Sequence, residues 1–452
     1  MQPPDSYWWS TLDVVNARES LPGDLDVDVV VVGGGFTGLW TAYELLRRDP
    51  RLRVVVLEKN LVGFGASGRN GGWVSSLFPL DDDVVRRRHG DEAMTYQRSY
   101  LEESVANYGR ALDEASIDGD FVQGGTITFA RSAVQENRLR NSLSGDGRWL
   151  TAGELDGYAK VAGARGAVFS PHCARIHPLK VVRGLAEAVE RRGGVVHENT
   201  AVMRIEPARG HQRAGVLTAS GTVRADFVVR ATEGFTPTLP GSRRDLAPIY
   251  SLMVATAPLP AAFWDEYGFA TMPTFADDRN LIIYGQRTAD HRLAFGGRGA
   301  PYHFGSSVEP SFDHNPAVFG ALERTLHELF PRLDAPLTHR WGGALGMPRN
   351  REPSVLVDYQ RGLASAGGYT GDGLTLSRVC AEALADLITQ PGVHTDTTRL
   401  PFVQGRVRPW ELEPARWLGI NAGLALANYA DHFEGRHQRE GWPNRALSRL
   451  LN

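Results

Sequence analysis

The chain has 452 residues, 42% of them hydrophobic, and a formal net charge of −3, the profile of a folded globular protein large enough for two or three domains. That charge gives no electrostatic basis for a nucleic-acid or anionic-membrane partner. The two cysteines, Cys173 and Cys380, are far apart and lack metal-ligand spacing, so neither a disulfide framework nor a metal site is expected.

Residues 1–25 read as a polar lead-in whose Tyr7, Trp8 and Trp9 are expected to pack on a domain surface. No basic segment followed by an apolar stretch opens the chain, so no signal peptide is predicted. The apolar run at 27–46 is interrupted by Asp28, three adjacent glycines and Glu44, which argues against a spanning helix and makes the cytoplasm the predicted location.

The run Asp28-Val29-Val30-Val31-Val32 predicts a buried strand, and Gly33, Gly35 and Gly38 follow it as G-x-G-x-x-G at the start of a helical pattern. Gly33 permits the tight turn, Gly35 admits a pyrophosphate close to the backbone, and Gly38 lets helix and strand pack. The helix N-terminus at Phe36 and Thr37 then faces the phosphates. A second apolar strand ends in Glu58, twenty residues past Gly38 and placed to accept from ribose hydroxyls. Strand, glycines, helix and acidic terminus in one βαβ frame predict dinucleotide binding, without deciding between NAD and FAD.

A glycine-rich segment follows at 63–73, then helical patterns over 96–115 and 133–143 with a strand at 125–129 between them. Leu179, Val182, Leu185 and Val189 keep a helical face that Gly193-Gly194 ends, and a strand begins at Val195. Another strand is predicted at 225–232. From 246 to 300 the βαβ rhythm gives way to strands at 249–256, 280–286 and 292–298, the last two joined as a hairpin around 287–291. Short helices at 318–330 and 375–388 and an amphipathic C-terminal helix bearing Trp417, Leu418, Ile420, Leu424 and Leu426 complete the chain. The predicted fold is α/β: a discontinuous, doubly wound, Rossmann-like cofactor domain (1–80, 146–234 and 336–400), with a second domain (81–145 and 235–335) built on an antiparallel sheet with helices. Residues 401–452 form a helical extension.

The fingerprint with Glu58, the segment Gly65-Ala66-Ser67-Gly68-Arg69-Asn70-Gly71-Gly72 and the turn Gly368-Tyr369-Thr370-Gly371-Asp372-Gly373 occur in that order. Together they resemble the D-amino-acid-oxidase-type FAD-dependent oxidoreductases. Ser6-Tyr7-Trp8 and Phe295-Gly296-Gly297-Arg298 make the chain most similar to the γ-glutamylputrescine oxidase branch. The resemblance implies FAD and oxidation of a C–N bond, with hydride passing from the carbon beside the nitrogen to flavin N5 and the imine then hydrolysing. It implies an amine or amino-acid substrate, O2 as acceptor, and a monomer or homodimer.

The same resemblance places Lys59 along the adenine edge, Val202 against adenine, and the 65–71 segment beside the flavin, with Arg69 as its charged member. Gly371, Gly373, Leu374 and Thr375 would supply a helix N-terminus to the flavin's pyrimidine end. Tyr250, Tyr284, Trp73, His177 and Met347 are expected to face the flavin, with Arg69, Tyr250, Tyr284 and His177 the candidates for work on substrate. Each has a structural alternative: Arg69 a loop-holding salt bridge, His177 a satisfied buried histidine, the tyrosines strand core.

Two departures from related proteins matter. No cysteine occurs in 341–348 and the segment after the fingerprint that carries Ser67 and Arg69 has no histidine, so noncovalent FAD is predicted. The strand 292–298 has no lysine of the kind that sarcosine-oxidase-like members place over the flavin to promote reaction with oxygen. A dehydrogenase using another acceptor, a non-catalytic flavin protein and an NAD-dependent dehydrogenase therefore stay open.

Overall fold

In the computed structural model, which describes residues 3–12, 14–405 and 407–451, the fingerprint strand lies inside a six-stranded sheet. The order is Ser354–Asp358, Leu363–Gly367, Phe227–Arg230, Val29–Val32, Val54–Leu57 and Val195–His197, with every neighbouring pair parallel except the first. Four consecutive valines form the fingerprint strand because both its faces are buried. Val29 and Val31 join a core shared with the helices Phe36–Arg48, Pro178–Arg191 and Gly373–Thr389. Val30 and Val32 pack against Val216 and Val223 instead. Those residues belong to a small sheet of Val202–Glu206, Ala214–Thr218, Thr222–Ala225 and Leu25–Asp26, which covers the second face.

A second, eight-stranded sheet runs Leu337–Met347, Ala247–Thr256, Leu293–Gly297, Ile283–Arg287, Thr274–Asp277, Thr126–Ala130, Gly166–Ser170 and Arg148–Thr151. Its neighbours are antiparallel except Thr274–Asp277 with Thr126–Ala130. An aromatic core of Phe263, Trp264, Phe269, Phe275, Phe295 and Phe330 lies against it.

This sheet corrects the expected domain boundaries. Residues 148–151, 166–170 and 337–347, assigned from the sequence to the cofactor domain, are strands of the eight-stranded sheet. Leu337–Met347 pairs along its length with Ala247–Thr256, a partner some ninety residues upstream that no local pattern reveals. Conversely the helix Asp91–Glu114, assigned to the substrate domain, buries Leu101, Val105 and Tyr108 in the cofactor-side core, where Tyr108 meets Trp40 edge-on at 5.6 Å.

The aromatic lead-in is not on the surface. Tyr7, Trp8 and Trp9 form a short buried helix capped by Ser6, whose side chain accepts from the Trp9 N–H. Trp8 Nε1 donates to the Asn70 carbonyl at 2.9 Å, and the Tyr7 hydroxyl donates to Asp290 at 2.5 Å. After the Gly373–Thr389 helix, helices Ala415–His437 and Trp442–Leu451 fold back against the eight-stranded sheet, where Asp431 accepts from the backbone N–H groups of Asn280 and Leu281 in the connection between two inner strands. Among the described residues no helix is long and apolar enough to cross a membrane.

The tightest constraint is at Gly38, where a Cβ would sit 2.0 Å from the Gly33 carbonyl oxygen and 3.1 Å from Val31. Gly38→Ala gains about 1 kcal/mol of helix propensity but forces helix and strand apart, an overpacking cost of about 1–3 kcal/mol. Urea unfolding of the apoprotein is expected to show net destabilisation; a variant as stable as the parent would contradict the packing argument.

Candidate active site

The turn after the fingerprint strand is built on Gly33 at φ +113°, a conformation that side chains rarely adopt. The helix Phe36–Arg48 has glycine at its N-cap, so apart from the Phe36 N–H, which donates to Ser67 Oγ, its first-turn N–H groups are left for an anion. Glu58 faces this turn. Its carboxylate accepts from the Gly34 N–H at 2.7 Å and the Asn60 N–H at 2.8 Å, while burial raises its pKa against those two bonds. A Cβ on Gly34 would lie 2.9 Å from Glu58, and one on Gly35 would lie 2.8 Å from Ser67 Oγ. The groove is thus kept open by missing side chains.

The segment 65–72 closes the groove from the other side. Ser67 Oγ accepts from the Phe36 N–H at 2.9 Å, tying loop to fingerprint helix. Asn70 Nδ2 donates to the carbonyls of Ala66 and Ser67, both at 3.0 Å, and its Oδ1 accepts from Gly72 at 2.7 Å. Gln286 Nε2, from the eight-stranded sheet, donates to the Gly71 carbonyl at 2.6 Å. The third wall is the 368–373 turn, linked to the fingerprint helix through Tyr369 and Thr37 hydroxyls 3.0 Å apart.

These walls enclose one cavity of about 950 Å³ that spans both sheets. Every cofactor residue expected from the sequence lines it except Gly38 and Thr375, which pack behind it. Val202 stands at the start, not the end, of its strand and still reaches the cavity; Lys59 lines it and is exposed to solvent. Trp73 and Met347 also line it.

The substrate candidates divide. Tyr284 lines the cavity, its hydroxyl 2.8 Å from Ser251 Oγ and its ring edge-on to Trp73 at 6.1 Å. Arg69 lines it too, but its guanidinium is committed to Asp313 Oδ2 at 2.5 Å, the loop-holding ion pair, with Nε donating to Gly65 at 3.3 Å. Tyr250 does not line the cavity. It is 1% exposed and sits edge-on to His303 and Phe312, so it belongs to the aromatic core.

His177 is likewise outside the cavity. It caps the Pro178–Arg191 helix: Nδ1 accepts from the Lys180 N–H at 3.2 Å, and Nε2 lies 2.9 Å from Thr11 Oγ1. Trp8 packs edge-on against it at 4.8 Å. Pro178 at the first helical position marks where this helix starts and so places His177 at its cap.

Three site residues escaped the sequence reading. Glu233 follows the Phe227–Arg230 strand at φ +40°, and its Oε1 accepts from the N–H groups of Gly368 and Tyr369, both at 2.9 Å. Burial pushes its carboxyl up to about 7. A carboxylate just past the C-terminal end of a parallel strand is the signal that could have found it. Arg298 lines the cavity and donates to the Thr370 carbonyl at 2.5 Å, close enough to Gly371 that a Cβ there would be 2.7 Å away. Arg351 also lines it, at φ +58°, donating to the Pro79 carbonyl at 3.0 Å. Burial lowers the Arg351 pKa; Asp81 opposes this and neighbouring Arg298 adds to it. Among the described residues neither arginine has an ion-pair partner within 4.0 Å, and no cysteine or histidine lines the cavity.

A parallel sheet with its glycine turn, an acidic partner at the next strand end and a cavity shared with an antiparallel sheet define a dinucleotide-dependent oxidoreductase. The residues fit FAD: glycines whose Cβ atoms would fill the groove, an uncapped helix start, and Glu58 at the far rim. Residues 28–387 match the model of the DAO family, described as FAD dependent oxidoreductase, and the chain belongs to that family. It is 28% identical over 427 residues to a probable oxidoreductase OrdL of Rhizobium meliloti (strain 1021), covering 90% of this chain and 94% of the relative. It is also 28% identical over 421 residues to the gamma-glutamylputrescine oxidoreductase of Escherichia coli (strain K12), covering 89% and 93%. The fold is similar to the crystal structure of glycine oxidase from Geobacillus kaustophilus, with a TM-score of 0.70 at 22% identity, covering 84% of this chain and 100% of that one.

Glu58→Ala removes the acceptor for Gly34 and Asn60, and hydrogen bonds to a charged group contribute about 1.5–3 kcal/mol. FAD affinity, read by flavin fluorescence quenching on reconstitution of the apoprotein, should fall about 10- to 100-fold. A second expectation concerns His177, whose pKa burial lowers to about 4. The unfolded chain then binds the extra proton between about pH 6.5 and 4, so this contribution to stability is full above 6.5 and lost on acidification. His177→Asn, which keeps a cap, is expected to flatten that part of the stability–pH curve; an unchanged slope would place the acid sensitivity elsewhere.

Proposed function

We propose that the protein oxidises the C–N bond of an amine or amino acid to an imine, using noncovalently held FAD and passing the electrons to O2. The balanced reaction takes one amine, losing a hydrogen from carbon and one from nitrogen, together with one O2. It yields one imine and one hydrogen peroxide, and water then converts the imine to a carbonyl compound and an amine or ammonia. FAD supplies the two-electron acceptor for the first half of this chemistry. The observation that carries the reading is the single cavity joining the glycine cradle and Glu58 to Tyr284 and Arg298 on the eight-stranded sheet. The names of the relatives, a gamma-glutamylputrescine oxidoreductase and a glycine oxidase, supply amine and amino-acid precedents.

Within this reading the residues have distinct work. Gly33, Gly35 and the uncapped start of the Phe36–Arg48 helix hold the pyrophosphate, and Glu58 the ribose. The 65–71 segment lies along the flavin, fixed by Asn70, Gln286 and the Arg69–Asp313 pair. Tyr284, oriented by Ser251, presents a polar atom to the substrate from a sheet that cannot move away. Arg298 and Arg351 supply positive charge without a paired carboxylate, so they can orient an anionic substrate group or stabilise negative charge as it develops. No base is demanded, because an amine that arrives unprotonated loses hydride directly. The cavity lining offers no cysteine or histidine for covalent attachment, which supports a noncovalent cofactor.

Anaerobic absorbance of the purified holoenzyme tests the reading. A flavin band at about 450 nm should bleach with at least one member of a panel of amines and amino acids and return within seconds of admitting air. Bleaching that recovers only with an added dye would replace O2 by another acceptor. A flavin band that no amine bleaches would remove the C–N chemistry.

A further inference from the structure

We propose, resting on the C–N reading above, that the carbon being oxidised carries a large apolar group. The C-terminal helices form the pocket that receives that group. The cavity does not stop at Tyr284. It continues to a wall contributed by residues 410–450, beyond the 28–387 stretch that defines the family, so this end is built by the chain's own extension.

That end is apolar and uncovered. Ile282 and Leu450 line it beside the C-terminal helices, Leu77 lines the same cavity from a third segment, and the three are 44%, 50% and 48% exposed. Leaving such side chains against water forgoes about 25 cal/mol per Å² of apolar surface, which an apolar ligand would recover. The helix Ala415–His437 turns Gly419 and Gly423 toward the same space. A Cβ on Gly419 meets nothing within 4 Å, and one on Gly423 meets only Leu450 at 3.1 Å. Side chains are withheld here where there is room for them.

Two of the arginines on the C-terminal side are already paired. Arg349 pairs with Glu411 at 2.7 Å and Arg416 with Glu413 at 2.9 Å, both carboxylates coming from the extension itself. A polar tail therefore finds no unpaired partner among these groups, and a charged one would compete with formed ion pairs. The wall is also held in place. Trp410 Nε1 donates to the Met347 carbonyl at 2.8 Å, and Asn421 exchanges two hydrogen bonds with the Tyr302 backbone, both at 3.0 Å. Asp431 fixes the backbone of Asn280 and Leu281 at 2.6 and 2.8 Å, next to Ile282 itself. The occupant is the substrate's own substituent because the space is continuous with the cavity holding Tyr284 and Arg298.

The test is anaerobic flavin reduction of the holoenzyme by two straight-chain series, primary alkylamines and 2-amino acids, each from two to eight carbons. In whichever series reacts, the reduction rate over the dissociation constant should rise about fourfold per methylene. Gly419→Phe and, on the opposite wall, Ile282→Asn should each cut the ratio of longest to shortest member at least tenfold while flavin content shows the variants fold. A flat dependence on length, or a ratio unmoved in both variants, overturns the proposal. Binding of unreactive n-alkanols, read as the rise in holoenzyme melting temperature, separates the two readings. Length-dependent binding that Gly419→Phe removes, with no amine reacting, keeps the pocket and removes the chemistry. No length dependence for alkanols or amines removes the pocket whatever the reaction.

Discussion

The close approach of the Phe36–Arg48 helix to the strand beneath it governs the rest of the molecule. At Gly38 the helix lies so near the Gly33 carbonyl that no side chain can intervene, and at Gly33 the backbone turns through a positive φ. Because the helix starts there, its first-turn N–H groups open onto the cavity. Glu58 then reaches across to Gly34, so the strand, the turn and the next strand end form one rigid rim. The rigidity follows from burial on both faces: helices cover one side of the mostly parallel sheet and a small mixed sheet the other.

The second constraint is how the eight-stranded sheet is held against this rim. The 65–72 segment does it, through side chains that come from distant parts of the chain. Trp8 holds Asn70, Gln286 holds Gly71, Trp341 Nε1 donates to the Arg69 carbonyl at 2.8 Å, and Asp313 holds the Arg69 guanidinium. A buried ion pair such as Arg69–Asp313 contributes little net stability because both charges lose their hydration. It does fix a direction, and burial accordingly raises the Asp313 pKa while Arg69 pulls it down. Arg69 is spent on architecture, whereas Arg298 and Arg351, which also line the cavity, have no ion-pair partner within 4.0 Å among the described residues.

The parts of the site legible in the sequence were those whose chemistry is local. Gly33, Gly35, Glu58 and the 65–72 segment stand out because a turn, a close approach or a strand end imposes its residue type within a few positions. Glu233, Arg298 and Arg351 gave weaker signals, since each acts across the fold on a turn or cavity wall it does not adjoin in sequence. His177 and Tyr250 misled for the complementary reason: a polar group near an apolar run looks the same whether it caps a helix, fills a core or meets a ligand. Only their neighbours, Lys180 and Thr11 for the histidine, His303 and Phe312 for the tyrosine, tell these apart.

Residue type and spacing alone determined the α/β class, the dinucleotide cradle and the family, because backbone conformation and burial act on neighbours in the chain. Tertiary structure decided where the sheets divide the chain, since Leu337–Met347 finds its partner Ala247–Thr256 through long-range pairing. It also decided which arginine is committed to an ion pair, and that the C-terminal helices wall the cavity. These depend on contacts between segments from about ninety to several hundred residues apart, and no local pattern encodes the distance between them.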